Sequence, residues 1–490
     1  MLRILYPLLL LVILSPAALS QSSNRTISGL VTSSEDGAPL EGVQITARGS
    51  GAVSGTQQDG MYYIQVTGKD SILVFSREGF ASREVRLTGT SDYNIQLGKG
   101  QPATARASTF SPYGSWRTVF QVRPDVGVPV VFDIHKDKNG VAHAYFHNAE
   151  ERFDGGRVEQ TGDSLFIHLD QFDNELAFHI EEGVLTGVLR RQDKTGNVTP
   201  VKAFPGDSAR FPGLGAAPAS DITGTYDISF ISGNGKEEKA VGIFKQEGSH
   251  LRATFLRVTG DARYLEGVVE GSHFRLSSFI GSGPSYYEGS FTAEHHITGE
   301  NIGARGSVHF TGLPDDKAAL PDPYKLTLLK DGASFDFSFP DAEGRQVSLH
   351  DKKFRNKVVI VTIGGTWCPN CVDETAFLAP WYVANRKRGV EVVSIQYERQ
   401  TDPAYVKKVL TRFREKYDIQ YDQVFGGLAD KQGVAQSLPA LNAFLAFPTT
   451  LIIDKKGKVA RIHTGYSGPA TGVYYDEFVK EFNEEIDGLL

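Results

Sequence analysis

GGTWCPNC, residues 364–371, holds both cysteines of a 490-residue chain. Ahead of it runs VVIVTI (358–363), a continuous apolar stretch that suits a strand buried on both faces. Behind it runs VDETAFLAPWYVANRKRG (372–389), whose pattern reads as a helix. The two thiols are therefore expected between the C-terminal end of a buried strand and a helix N-terminus. Free N–H groups and the helix dipole stabilise negative charge there, so the first cysteine should lose its proton more readily. The thiolate is the attacking species in disulfide exchange, and a second thiol one helical turn on can displace the mixed disulfide. Cys368 reads as the nucleophile and Cys371 as the resolving thiol, in a pair that faces solvent.

Other uses of two cysteines fit less well. A structural zinc site wants four ligands, and neither a second cysteine pair nor a close histidine stands nearby. A structural disulfide closing so short a loop would restrict the unfolded chain very little. Haem attachment needs a histidine after the second cysteine, where Val372 stands. No metal and no cofactor is expected.

From about Pro323 onward, strands alternate with helices. A short hairpin precedes the buried strand and its helix, and a second buried strand follows, VEVVSIQYE (390–398). Then come a helix over 404–417, a β-hairpin around Lys456-Gly457 and a terminal helix from about Tyr475. This order implies a mixed α/β sheet with helices on both faces.

Residues 323–490 resemble the thioredoxin-fold domain of TlpA/ResA-like thiol-disulfide oxidoreductases, in the AhpC/TSA-related branch. The resemblance rests on Trp367-Cys368-Pro369-Asn370-Cys371, on Glu374 and on Phe447-Pro448-Thr449. It implies that Pro448 is a cis-proline facing the cysteines, with its ring and Trp367 forming an apolar floor. Trp367, Pro369, Phe447, Pro448 and Thr449 would then contact substrate, the backbone beside the proline pairing with an extended peptide. It also implies that Glu374 tunes the thiols and relays a proton; the plainer reading is an acid favoured by the helix dipole, like Asp373. Thioredoxin's buried Asp on the strand before the motif has no counterpart in VVIVTIGG, so any relay must come from elsewhere. The insertion between the second strand and the proline, 401–446, is expected to hold strand, loop and short helix.

A peroxiredoxin is the nearest alternative, but it requires a hydroxyl three residues before the attacking cysteine. Position 365 is Gly, Thr366 is displaced by one, and no proline precedes it in the loop. A further alternative is an envelope binding or assembly protein in which the redox domain only docks a partner.

The rest of the chain is β-rich. MLRILYPLLLLVILSPAALS (1–20) has the charge, apolar core and small-residue cut site of a secretory signal peptide. Residues 26–98 show seven or so short strands between turn signals such as Asp59-Gly60, a small β-sandwich. SGLVTSSEDGAPLEGVQI, DGMYYIQV and VFSREGF resemble the carboxypeptidase-regulatory-like domain of exported Bacteroidetes proteins, which implies a spacer or folding unit. Residues 99–115 are polar and small, as a linker is. Residues 116–311 repeat a pattern of about 100 residues, each half opening on a Gly-aromatic start, GSWRTVF and GTYDISF. Two halves of five or six strands are expected to close one antiparallel barrel or to form separate sheets. The region's histidines, His143 and His147 among them, lack ligand spacing and read as surface or cross-strand residues.

The chain carries 51 basic and 58 acidic residues, a net charge of −7. Loss of Arg3 with the signal would make it about −8, which disfavours nucleic acid as a partner. Together these features describe an exported protein of the periplasm or cell envelope. The family resemblance implies exchange with thiol- or disulfide-bearing exported proteins, apocytochrome c among them. It implies a separate, membrane-borne redox donor too, since the chain has no spare cysteine to pass electrons internally.

Overall fold

The computed structural model describes residues 25–77, 79–100, 110–206 and 209–490. The expected signal peptide, 1–20, and most of the expected linker lie outside them. No helix among the described residues is long and apolar enough to cross a membrane. The chain divides into two compact units, residues 1–104 and 105–490.

In the first unit seven strands between Arg25 and Leu97 form a three-stranded and a four-stranded sheet. Alternating residues bury one face of each, joining Ile27, Val31, Ile45, Tyr62 and Phe75 in one core. The Asp59-Gly60 turn needs its glycine. Gly60 has φ +76°, and a Cβ there would lie 2.7 Å from the Val31 carbonyl oxygen.

The second unit begins with two closed barrels rather than the single shared barrel that is one sequence expectation. Residues 114–205 supply eight antiparallel strands, each paired with the next, and the last closes on the first with Val201 opposite Phe120. Residues 224–314 supply eight more, closing through Phe230 opposite Phe310. The second barrel adds a short hairpin strand, Gly260–Asp261. Each half has enough strands to close alone, because the turns divide it into eight strands, not five or six. Closure leaves neither half with an open edge.

The two barrels share a contact at their first strands. Trp116 donates from Nε1 to the Pro112 carbonyl at 2.8 Å, and Tyr226 donates from Oη to the Ile222 carbonyl at 2.9 Å. Both aromatic rings are buried, and each bonds four residues back. Side chains fill both interiors: Trp116, Phe120 and Phe132 in the first, Phe230, Phe244, Phe255 and Phe310 in the second. The second barrel also packs on the first. Phe279 lies 4.7 Å from the rings of both Phe120 and Phe146, and Asn148 exchanges two hydrogen bonds with its backbone. The histidines find acids across the strands, His143 with Asp154 and His147 with Asp133.

The remainder is a five-stranded sheet with β1 (Val358–Gly364), β2 (Val390–Glu398), β3 (Asp422–Leu428), β4 (Thr449–Ile453) and β5 (Val459–Thr464). The order is β3-β2-β1-β4-β5; β1, β2 and β3 run parallel, and β4 and β5 antiparallel to their neighbours. Every residue of β1 is buried, as its unbroken apolar run requires. Helices α1 (Pro369–Asn385), α2 (Pro403–Tyr417), α3 (Lys431–Ser437) and α4 (Val473–Leu489) complete the domain. Helix α1 starts three residues earlier than its periodicity suggests, because Pro369 suits a first helical turn and Cys368 caps it. The 401–446 insertion contains α2, β3 and α3.

Candidate functional site

β1 ends at Gly364, and four residues later Cys368 stands as the N-cap of α1. Its sulfur accepts a hydrogen bond from the Cys371 N–H at 3.4 Å. The Cys368 thiol points to the Phe447 carbonyl at 3.7 Å, across the cis Phe447–Pro448 bond. Sequence segments 79 residues apart thus meet at one sulfur. Both cysteines are free thiols. Burial pushes the Cys371 thiol well above its ordinary range, and neighbouring Cys368 and Glu374 add to the effect. The inner thiol therefore resists ionisation.

The remaining expected residues converge here. Trp367 donates from Nε1 to the Tyr397 carbonyl at 2.9 Å and meets the Phe447 ring edge-on at 5.6 Å. Thr449 is fully buried and donates to the Ala446 carbonyl at 2.8 Å, bracing the proline turn. Gly365 is required under the Trp367 indole, since a Cβ there would lie 2.4 Å from Trp367 Nε1 and 2.6 Å from the Tyr397 carbonyl oxygen. Glu374 is buried one turn beyond Cys371, accepts a hydrogen bond from Thr450 Oγ1, and is pushed by burial up to about 7. A carboxyl with that value can hold or release a proton near neutrality.

One acid at the site escaped the sequence reading. Glu398, the last residue of β2, is wholly buried. It accepts from the Thr366 N–H at 2.9 Å and from Thr366 Oγ1 at 3.0 Å, fixing the loop two residues before Cys368. Burial pushes its carboxyl up to about 7 as well. The strand VEVVSIQYE also carries Glu391, Ser394 and Gln396, so nothing in its pattern singled Glu398 out. With both its oxygens on Thr366, Glu398 also takes the one hydroxyl that precedes Cys368 in this loop.

The expectation of a solvent-facing pair is corrected. Cys368 is 6% exposed and Cys371 3%. The barrels bond the chain on either side of the first cysteine. Gln171 of the first barrel donates to the Thr366 carbonyl at 2.5 Å. Arg263 of the second donates to the Pro369 carbonyl at 3.1 Å and pairs with Asp373 at 2.6 Å.

The fold and site define a thioredoxin-fold domain carrying a two-cysteine centre at a strand-to-helix junction. Residues 332–462 match the AhpC/TSA family. The domain is homologous to thiol-disulfide oxidoreductase ResA of Geobacillus thermodenitrificans, 33% identical over 132 residues, which are 26% of this chain and 66% of the relative. The ResA of Bacillus thuringiensis subsp. konkukian is 28% identical over 145 residues, 30% of this chain and 73% of the relative. The first of these relatives is thus spanned over just under two thirds of its length. Among solved structures, a thiol-disulfide oxidoreductase from Bacteroides fragilis is 20% identical, covering 29% of this chain and 96% of its own, with a TM-score of 0.22.

Proposed function

We propose that this protein is an exported thiol-disulfide oxidoreductase that acts as a reductant of other envelope proteins. The observation that carries the reading is the Cys368–Cys371 pair itself, capping α1 against a cis-proline. The Cys368 thiolate attacks one sulfur of a substrate disulfide, forming a mixed disulfide and releasing a substrate thiolate. Cys371 then attacks the Cys368 sulfur, forming the Cys368–Cys371 disulfide and releasing the second substrate thiol. Two electrons pass from the dithiol to the substrate. Glu374 takes the proton that Cys371 must shed, consistent with a carboxyl that titrates near neutrality. Trp367, Pro369 and Phe447 offer the half-buried surface on which substrate lies, while Pro448 and Thr449, both buried, act on substrate only by shaping the turn beneath it. A separate dithiol donor, membrane-borne, restores the reduced state.

In this reading the first 20 residues are the export signal, residues 26–98 a carboxypeptidase-regulatory-like β-sandwich of the Bacteroidetes type, 116–311 the duplicated β region and 323–490 the redox domain. The resemblance to TlpA/ResA-like proteins implies cysteine-bearing apocytochromes as one substrate class. Two measurements test it. Cys371→Ser should accumulate a mixed disulfide that Cys368→Ser cannot form; the reverse pattern would overturn the assigned roles. Equilibration with glutathione should give a potential near or below about −250 mV, whereas a value near about −120 mV would make the protein an oxidant.

A further inference from the structure

The two barrels hold the CPNC motif from both flanks. On one side the first barrel's 3-10 turn, Asp170–Phe172, lies over the loop that precedes Cys368. Gln171 bonds the Thr366 carbonyl at 2.5 Å, Asp173 accepts from Tyr405 at 2.8 Å and pairs with Arg412 at 3.1 Å. On the other side the second barrel's hairpin around Gly260 lies between α1 and the loop after β5. A Cβ on Gly260 would fall 2.0 Å from Asn370 Nδ2, and one on Gly465 would fall 2.4 Å from the Val258 carbonyl oxygen. Asp261 accepts from the Gly468 N–H at 2.5 Å. Gly465 itself donates to the Pro448 carbonyl at 2.9 Å, so this hairpin borders the cis-proline turn.

Arg263 ties all three bodies together. Its side chain is largely buried and pairs with Glu151 of the first barrel and with Asp373 of α1, while bonding the Pro369 carbonyl. Glu151 and Asp373 are buried to a similar degree. A guanidinium shared by two buried carboxylates and a carbonyl inside the motif is held by every partner at once.

A protein disulfide can be attacked only if one of its sulfurs comes within bonding distance of Cys368. A folded partner brings a broad surface with it, and the ground on both sides of Cys368 is already occupied. We propose that the barrel pair is a specificity cap on the redox centre, with Arg263 and Gln171 as its specificity-determining residues. The closed cap admits small disulfides to Cys368 and holds back folded protein disulfides until the barrels part from the motif. This inference rests on the thiol-disulfide reading above.

The test uses the full-length reduced protein in single turnover with two oxidants, 4,4′-dithiodipyridine and insulin. Either oxidant takes two electrons, becomes two thiols and leaves the Cys368–Cys371 disulfide, read as loss of this chain's own two thiols by alkylation and intact-protein mass. Arg263→Met should speed oxidation by insulin at least tenfold and change the rate with dithiodipyridine less than about twofold. Gln171→Ala, which removes no charge from a buried cluster, should move the same ratio in the same direction should the first variant fold poorly. Equal insulin rates in wild type and both variants would overturn the cap. A parallel rise with both oxidants would overturn it as well, because it would mean that these residues act on the thiol and not on access. A wild-type dithiol that dithiodipyridine does not oxidise would refute the exchange reading itself, and the cap with it.

Discussion

Replacing Glu374 with Gln tests the physical account of the site most directly. The carboxyl is buried against Thr450, and burial raises it from 4.5 to about 7. Between those values the folded chain binds a proton that the unfolded chain does not. Stability from this group is therefore complete below about pH 4.5 and is lost as pH rises through about 7. The loss spans about 2.5 pH units, or about 3 kcal/mol at 1.36 kcal/mol per unit. Glutamine has the shape of the protonated acid, can still accept the Thr450 hydrogen bond, and cannot ionise. Glu374→Gln should thus equal wild type at pH 4.5 and exceed it at pH 8 by about 3 kcal/mol. In calorimetry of the reduced protein, the transition carrying the redox domain should rise by roughly 6–12 °C at pH 8 for a domain of this size. A variant that shifts the transition equally at both pH values would refute the reasoning, since the effect would then be packing and not ionisation. A variant less stable at pH 8 would mean that the ionised carboxylate has a favourable partner.

Glu398→Leu should strand the Thr366 N–H and hydroxyl in a buried place, costing about 1–3 kcal/mol for each group left without a partner. Single-turnover oxidation by a small disulfide should slow as the loop before Cys368 loosens; an unchanged rate with unchanged stability would deny Glu398 its bracing role. Gly267→Ala places a Cβ 1.7 Å from the Arg275 carbonyl oxygen, in the ladder between two strands of the second barrel. It should destabilise that barrel by at least about 2 kcal/mol, read as faster amide exchange in residues 265–279, and full protection there would refute the close approach.

The centre of the site was legible because its signals are local. An apolar run without polar alternation marks a strand covered on both faces, and two cysteines directly after it at one-turn spacing mark its junction with a helix. The Gly-aromatic starts of the two β halves were equally local, and their aromatics, Trp116 and Tyr226, each bond a carbonyl four residues back. Each is a pattern within a few residues, fixed by backbone period and turn chemistry.

What lay beyond the sequence was every feature set by which elements touch. Strand count and the pairing of first with last strand decided that each β half closes its own barrel, and those pairings join residues about 80 positions apart. Glu398 comes to Thr366 only because β2 lies beside β1 in the sheet. Gln171 and Arg263 reach the motif across 195 and 106 residues. Gln171 lies in a 3-10 turn and Arg263 in a loop, where no period says which way a polar side chain turns or what it meets. Two cysteines one turn apart, the helix that starts there and the buried strand before it could be read from neighbouring residues. The burial of both thiols could not, because burial depends on surfaces that distant parts of the chain bring against them.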